Sequence, residues 1–205
     1  MKKISSAAFL PITEFTRRLF RSGGVSVFRS PLLLVYYLQL LIGMPFAFFQ
    51  TLIYRKQIAE TEIKEDPIFI LGHYRTGTTL LQKLLTTNDQ FGFLTYYDAI
   101  FPNSSLLLGT CGKVIFQRVI KMIKLKNPFF NNLVVNLDEA DEEDDYLMNL
   151  ASPYSAYWGL IFPKKWRDWL NLSSQFSNPT YQAGWRTEYQ NTLQYLTFRN
   201  NGKRR

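Results

Sequence analysis

Hydrophobic and polar positions divide the chain into an uncharged N-terminal segment and a longer mixed region. Residues 30–54 contain no charged side chain. An uncharged run of this length is long enough for a membrane-spanning helix. Two glutamines and Pro45 interrupt this run, and basic residues lie on both sides of it. Three interpretations stay open: one membrane span, an interfacial hairpin bent at Pro45, or a helix buried in the protein. We assign residues 1–57 to a basic N-terminus with a membrane-associated apolar helix, and 58–205 to a separate domain.

The second region contains short apolar runs and longer amphipathic ones. Residues 67–71 predict a buried strand, and residues 91–95 predict a weaker one. Apolar residues at helical spacing predict helices over 78–87, 112–126 and 178–198. Asn178 and Pro179 form a suitable N-cap and first-turn pair for the last of these. The acidic run 138–145 predicts the start of a further helix, because carboxylates favour the positive end of the helix dipole.

Composition excludes several classes of protein. Apolar residues make up 46% of the 205 residues and charged residues 20%, so the chain is not a disordered tail. One cysteine and one histidine, Cys111 and His73, exclude an intramolecular disulfide framework and a multi-histidine metal site. The net charge of +8 favours an anionic partner. No base-reading module accompanies this charge, so we do not expect nucleic acid to be that partner.

The segment 67–85 contains the most specific pattern in the chain. An apolar strand leads into Gly72-x-x-x-x-Gly77-Thr-Thr, and an apolar-faced helix follows. Glycines permit a tight loop whose main-chain N–H groups point inward, and the helix N-terminus adds a positive dipole end. Arg75 adds a permanent charge that can bind two oxygens of a phosphate or sulfate. The pattern therefore predicts a site for an anionic group.

Spacing in this loop matches the P-loop of nucleotide triphosphatases at all but one position. That motif requires a lysine where this chain has Thr78. Hydrolysis of ATP or GTP is therefore disfavoured. A nucleotide or nucleoside kinase with an unusual loop stays as an alternative, and so does a non-catalytic membrane-anchored binding protein.

The same loop resembles the 5′-phosphosulfate loop of sulfotransferases, commonly G-x-x-R-[ST]-G-T-T. Here the sequence is Gly72-His-Tyr-Arg75-Thr-Gly77-Thr-Thr, and it is similar to the bacterial-type P-loop sulfotransferases. Residues 93–102 resemble a family segment in which an aromatic residue and a carboxylate precede a proline. The resemblance covers about residues 65–200. It implies an α/β fold, namely a three-layer α/β/α P-loop domain with many helices. We expect only the N-terminal part of that domain to be present here.

This resemblance implies a donor, 3′-phosphoadenosine 5′-phosphosulfate, whose sulfuryl group passes to a hydroxyl or amine of an acceptor. Arg75 would neutralise charge on the transferring group, and no metal is implied. The loop residues that would bind the donor are Gly72, His73, Tyr74, Arg75, Thr76, Gly77, Thr78 and Thr79.

Asp98 is the candidate general base, because it takes the position of the family carboxylate. The alternative for Asp98 is a helix-capping or surface role. His73 is a rival candidate for the base. Because it lies inside the loop, whereas the histidine base of the cytosolic family members lies well downstream, we treat it as a contact of the donor; a purely structural histidine is the alternative.

The family's 3′-phosphate element, an Arg and a Ser after a Lys-x-Pro-like segment, is not recognisable before Arg205. We therefore expect the isolated chain to bind the donor weakly and to be inactive. The acceptor is unspecified: a small molecule, a lipid or a carbohydrate. The donor is made in the bacterial cytoplasm, whereas a span with the basic N-terminus inside would place the loop outside. We therefore expect attachment to the cytoplasmic face of the membrane.

Overall fold

The computed structural model describes residues 4–24, 30–73, 76–124, 134–141, 162–173 and 178–201. These residues are mainly helical, and they form no β-sheet with one another. The helices are α1 (Ile4–Arg21), α2 (Ser30–Ala59), α3 (Thr78–Leu85), α4 (Tyr96–Ile100), α5 (Ser105–Met122), a 3-10 turn (Pro163–Lys165), α6 (Trp166–Ser173) and α7 (Pro179–Arg199). An isolated antiparallel bridge joins Thr95 to Ala140. The three-layer sheet architecture thus stays a prediction.

Helices α1 and α2 pack against each other along the N-terminal region. After α1 the chain turns through Gly23 and Gly24, whose φ values of +83° and +74° favour glycine. The N–H of Gly24 donates to the carbonyl of Leu19 at 2.9 Å, which closes the end of α1. Leu19 belongs to a buried apolar cluster that joins α1 to the region of α6: Phe15, Leu19, Phe162 and Trp169.

Helix α2 confirms that the uncharged segment is helical. Because the helix continues through Pro45, the interpretation as a hairpin bent at Pro45 is wrong. No helix among the described residues is both long enough and apolar enough to cross a membrane. Gln50 connects α2 to α5: its Oε1 accepts from the N–H groups of Leu106 and Leu107 at 2.8 and 3.1 Å. Its Nε2 donates to the carbonyl of Pro102 at 3.3 Å. The buried Gln50 therefore caps α5 from a neighbouring helix, since the N-cap residue Ser104 makes no side-chain cap bond.

Helix α3 begins at the predicted residue and ends at Leu85, two residues early. The hydroxyls of Thr86 and Thr87 donate to the carbonyls of Lys83 and Leu84 in the last turn. In a longer helix these carbonyls would accept from main-chain N–H groups of the next turn, so the two threonines allow the helix to end here.

Helix α5 begins at Ser105, seven residues before the predicted start. The reason is Gly109, whose φ of +52° joins two helical stretches across a kink.

The last helix confirms the prediction closely. Asn178 Oδ1 accepts from the N–H groups of Thr180 and Tyr181, and Pro179 is the first helical residue.

The helix predicted to start in the acidic run does not begin at its first residues. Residues 138–141 form a turn and a bridge, because Asp138 N–H donates to Asn136 Oδ1 and Asp141 N–H donates to the carbonyl of Leu94. The rest of the run lies outside the described residues.

Two further apolar clusters form where α4, α5 and α7 meet. The first contains Leu94, Ala99, Tyr195 and Leu196. The second contains Tyr97, Ile120 and Leu137. The best-buried part of the described chain therefore surrounds the short helix α4.

Candidate active site

The glycine at the start of the loop sits against two threonines of the same loop. A Cβ placed on Gly72 would lie 2.5 Å from Thr78 Cγ2 and 2.8 Å from Thr76 Oγ1. Both distances are shorter than van der Waals contact, so a side chain at position 72 would require Thr76 or Thr78 to move. The described part of the loop is thus folded back toward the first turn of α3.

Gly77 opens helix α3 in a left-handed conformation, with φ +90° and ψ 13°. As the N-cap residue it has no side chain with which to bind the first amides of the helix. The N–H groups of Thr78 and Thr79 have no acceptor within the helix, and they lie at its positive dipole end. The local geometry is therefore suited to an anion.

Thr76 is already engaged with the main chain of the loop. Its Oγ1 donates to the carbonyl of His73 at 2.6 Å, and its N–H reaches the same carbonyl at 3.3 Å. The hydroxyl proton of Thr76 therefore stabilises the turn. Tyr74 and Arg75 lie outside the described residues, so the predicted charge-neutralising role of Arg75 stays a prediction.

Side chains of helix α3 contact the start of the acidic segment 138–145. Lys83 Nζ lies 2.7 Å from Glu139 Oε2, and Gln82 Nε2 donates to the carbonyl of Asp141 at 3.1 Å. Both contacts join residues more than fifty positions apart. They hold the body of α3 in place behind the loop.

Apolar side chains beside the loop are exposed. Leu71, directly before Gly72, is 90% exposed, and Leu80, Leu81 and Leu84 of α3 are exposed too. The predicted strand 67–71 has no ladder partner among the described residues. Phe69 instead stacks against Tyr189 of α7, with ring centroids 6.2 Å apart.

Asp98 occupies a different environment from the loop. It is fully buried and forms a capping box with Thr95 at the start of α4. Its Oδ2 accepts from Thr95 Oγ1 at 2.6 Å. Its Oδ1 accepts from Arg199 Nε at 2.8 Å and from the Tyr195 hydroxyl at 3.0 Å. Both carboxylate oxygens are therefore occupied, and the role of Asp98 as a base stays a prediction that requires this network to open.

The Asp98 carboxylate raises the pKa values of two groups beside it. Burial acts to lower the pKa of Arg199, but the Asp98 carboxylate more than offsets this and holds that pKa above its ordinary value. Burial, followed by the charge of Asp98, raises the pKa of Tyr97 to about 12. Among the described residues, the buried hydroxyl of Tyr97 has no hydrogen-bond partner.

Sequence reasoning missed Tyr195 and Arg199 as partners of Asp98. The only signal was their spacing of four at the end of a predicted helix, which places both on one face if the helix continues one residue further. The tertiary contact that brings this face to α4 had no signature in the sequence. Ser105 extends the network, with its hydroxyl 2.6 Å from that of Tyr195.

The glycine loop and the uncapped start of α3 are suited to an anion, and the known proteins to which the chain is similar point to one class of enzyme. Over 116 residues the chain is 31% identical to the omega-hydroxy-beta-dihydromenaquinone-9 sulfotransferases Stf3 of Mycobacterium bovis and Mycobacterium tuberculosis. The match covers 57% of this chain and 28% of each relative, so the chain spans about a quarter of their length. It confirms the resemblance to sulfotransferases. No protein-family description and no solved structure matches the chain.

Proposed function

We propose that this chain carries the donor-binding loop of a sulfotransferase that uses 3′-phosphoadenosine 5′-phosphosulfate. The observation that carries the proposal is the glycine-built loop at Gly72 and Gly77, which leads into an uncapped α3. The match to two sulfotransferases supports it. The donor, when bound, supplies the activated sulfuryl group.

The loop residues fit an anionic group of this kind. Gly72 lies against the side chains of Thr76 and Thr78, and the N–H groups of Thr78 and Thr79 lie at the positive end of a helix dipole. In our proposal these amides orient the donor, and the Arg75 guanidinium neutralises charge that develops during transfer. Gly72, His73, Tyr74, Thr76 and Gly77 complete the proposed binding loop.

The acceptor that we propose is a lipid-soluble alcohol. The two relatives are named for a hydroxylated dihydromenaquinone. A quinone of that kind combines a long apolar body with a hydroxyl that can accept a sulfuryl group. We further propose that the protein works at the cytoplasmic face of a membrane, where a cytoplasmic donor and a membrane-dissolved acceptor meet.

Ligand binding tests this proposal more directly than turnover, because the chain spans about a quarter of its relatives' length. Titration calorimetry of the 205-residue chain with 3′-phosphoadenosine 5′-phosphate, in buffer without magnesium, is expected to give weak saturable binding. Arg75→Ala removes the one guanidinium of the loop and is expected to weaken that binding by about tenfold or more. Arg186→Ala is the matched control, because Arg186 is an exposed arginine of α7.

Three outcomes would contradict the proposal. A preference for ATP with magnesium would indicate the kinase alternative. No binding of any nucleotide would favour the non-catalytic alternative. Equal affinity of the wild type and Arg75→Ala for the nucleotide would show that the loop is not part of the donor site.

A further inference from the structure

Helix α2 presents a continuous apolar stripe to the outside of the described structure. Its members, which we call the α2 ridge, recur at helical spacing, and each is between 48% and 67% exposed: Leu34, Leu38, Leu41, Ile42, Phe49, Leu52 and Ile53. At 1.5 Å per residue the ridge is roughly 28 Å long. Single exposed leucines need no explanation, but a continuous stripe of this length indicates a binding surface.

The opposite side of α2 is already used inside the protein. Gln50 caps α5, and Tyr54 packs on Phe198 of α7 with ring centroids 5.8 Å apart. Tyr37 shares a hydrogen bond of 2.7 Å with Thr16 of α1. These contacts fix the rotation of α2 about its axis, so the ridge faces away from α1, α5 and α7.

Charge on the helices beside the ridge is mainly positive, although exposed Glu60, directly after α2, pairs with Lys56 at 3.8 Å. Helices α1, α2 and α5 contain three, two and three basic residues, eight in all, and a single acid, Glu14. The whole chain has 16 acids, so the other 15 lie outside these three packed helices. Arg21, Lys56 and Lys121 are exposed. A partner that covers the ridge therefore meets a positive surround.

We propose that the α2 ridge lies in the interfacial layer of a lipid bilayer that contains anionic lipids. The ridge would enter the boundary between headgroups and acyl chains, and the flanking lysines and arginines would contact the headgroup phosphates. This inference deepens the membrane attachment proposed above and identifies the surface responsible. It does not depend on sulfuryl transfer.

A second copy of the chain fits this surface less well. Two ridges packed together would bring the exposed basic residues of two copies, such as Arg21 and Lys56, closer to one another, and like charges at an interface repel. An anionic bilayer meets both requirements at once, because it offers an apolar interior and a negative surface.

Vesicle sedimentation with the 205-residue chain tests the proposal. The wild type is expected to bind vesicles that mix phosphatidylcholine with phosphatidylglycerol at least about tenfold more tightly than pure phosphatidylcholine vesicles. The double variant Leu41→Glu, Leu52→Glu places two charges in the ridge. It is expected to lower binding to the mixed vesicles by about a hundredfold.

The matched control is Leu80→Glu, Leu84→Glu, which makes the same two changes at similarly exposed leucines of α3. This control is expected to keep vesicle binding, and circular dichroism checks that both double variants retain their helices. Equal loss in the two variants would overturn the proposal. So would a wild type that binds neither vesicle, or one that sediments as a dimer through the ridge and leaves lipid unbound. Calorimetry with the nucleotide distinguishes failure of this proposal from failure of the donor site, since neither ridge substitution lies in the loop.

Discussion

Two regions contrast in both sequence and structure: the loop at 72–79, and the contact between α4 and α7 formed by Asp98 with Thr95, Tyr195 and Arg199, which we call the junction. The loop has the most specific sequence pattern in the chain, but its flanking leucines are exposed and Gly77 leaves the amides of α3 uncapped. The junction has a weak sequence pattern, yet Asp98 is fully buried and accepts from Thr95, Tyr195 and Arg199. Groups that bind a ligand must stay accessible, whereas groups that fix the fold gain by being enclosed.

This contrast separates two kinds of experimental effect. Substitutions at the junction should change the free energy of unfolding. Substitutions in the loop should change ligand binding much more than stability. Each prediction below tests one side of that separation.

Asp98→Ala should have the largest effect on stability. It leaves the partly exposed Arg199 guanidinium without its buried carboxylate partner. Losing one member of a fully buried ion pair costs about 3–5 kcal/mol, so about 3 kcal/mol is expected here. Urea denaturation measures the change. Asp168→Ala is the control, since Asp168 pairs with Lys165 in an exposed contact of 3.6 Å that contributes about 0–1 kcal/mol. Similar losses of unfolding free energy in the two variants would show that the junction stabilises the fold no more than an exposed ion pair does.

Gln50→Leu should lower the free energy of unfolding by about 2 kcal/mol, because it leaves the first amides of α5 without their acceptor in a buried place. Gln57→Leu, at an exposed position of the same helix, should change stability by less than about 0.5 kcal/mol. If Gln50→Leu were neutral in thermal and urea unfolding, the capping of α5 by α2 would be wrong.

Gly77→Ala should have a smaller effect on stability, about 1–2 kcal/mol, the cost of a left-handed conformation for a residue with a Cβ. Its effect on nucleotide binding should be larger, because the first amides of α3 would shift. Gly43→Ala serves as the stability control, since an added Cβ at this position of α2 would meet open space. Unchanged nucleotide affinity in Gly77→Ala would show that the start of α3 is not part of the nucleotide-binding site.

Tyr97→Phe should have the smallest effect, a stabilisation of up to about 1 kcal/mol, since it removes a buried hydroxyl that has no partner among the described residues. The pKa of Tyr97 is raised to about 12 in the folded protein. Above about pH 10 the unfolded chain therefore loses this proton while the folded chain retains it, so wild-type stability falls between about pH 10 and 12. Tyr97→Phe should show a shallower fall in urea titrations across this window. Parallel curves for the two proteins would contradict the burial of the hydroxyl.

Local patterns predicted local structure well. The start of α3 and the cap of α7 follow from Gly77 and from Asn178-Pro179, where the residues themselves determine the backbone. The uncharged segment was correctly predicted to be helical, but Gln50 looked like an interruption of it. Its role as a cap depends on a contact with residues more than fifty positions away.

Contacts between residues far apart in the chain could not be predicted from local sequence patterns. The pairing of Asp98 with Arg199 joins residues 101 positions apart, and nothing in either local pattern selects the other. The early start of α5 was missed because a glycine such as Gly109 weakens a helical pattern. The two predicted strands, 67–71 and 91–95, do not pair with each other among the described residues, and Thr95 instead forms a bridge with Ala140.

Amide shifts in nuclear magnetic resonance spectra test the central claim most directly. The full chain is labelled with a nitrogen isotope and titrated with 3′-phosphoadenosine 5′-phosphate in the absence of magnesium, alongside Arg75→Ala. The account predicts saturable shifts concentrated at the amides of residues 72–79, strongly reduced in Arg75→Ala, with the amides around Asp98 unmoved. Shifts that avoid the loop, or that are the same in Arg75→Ala, would contradict it.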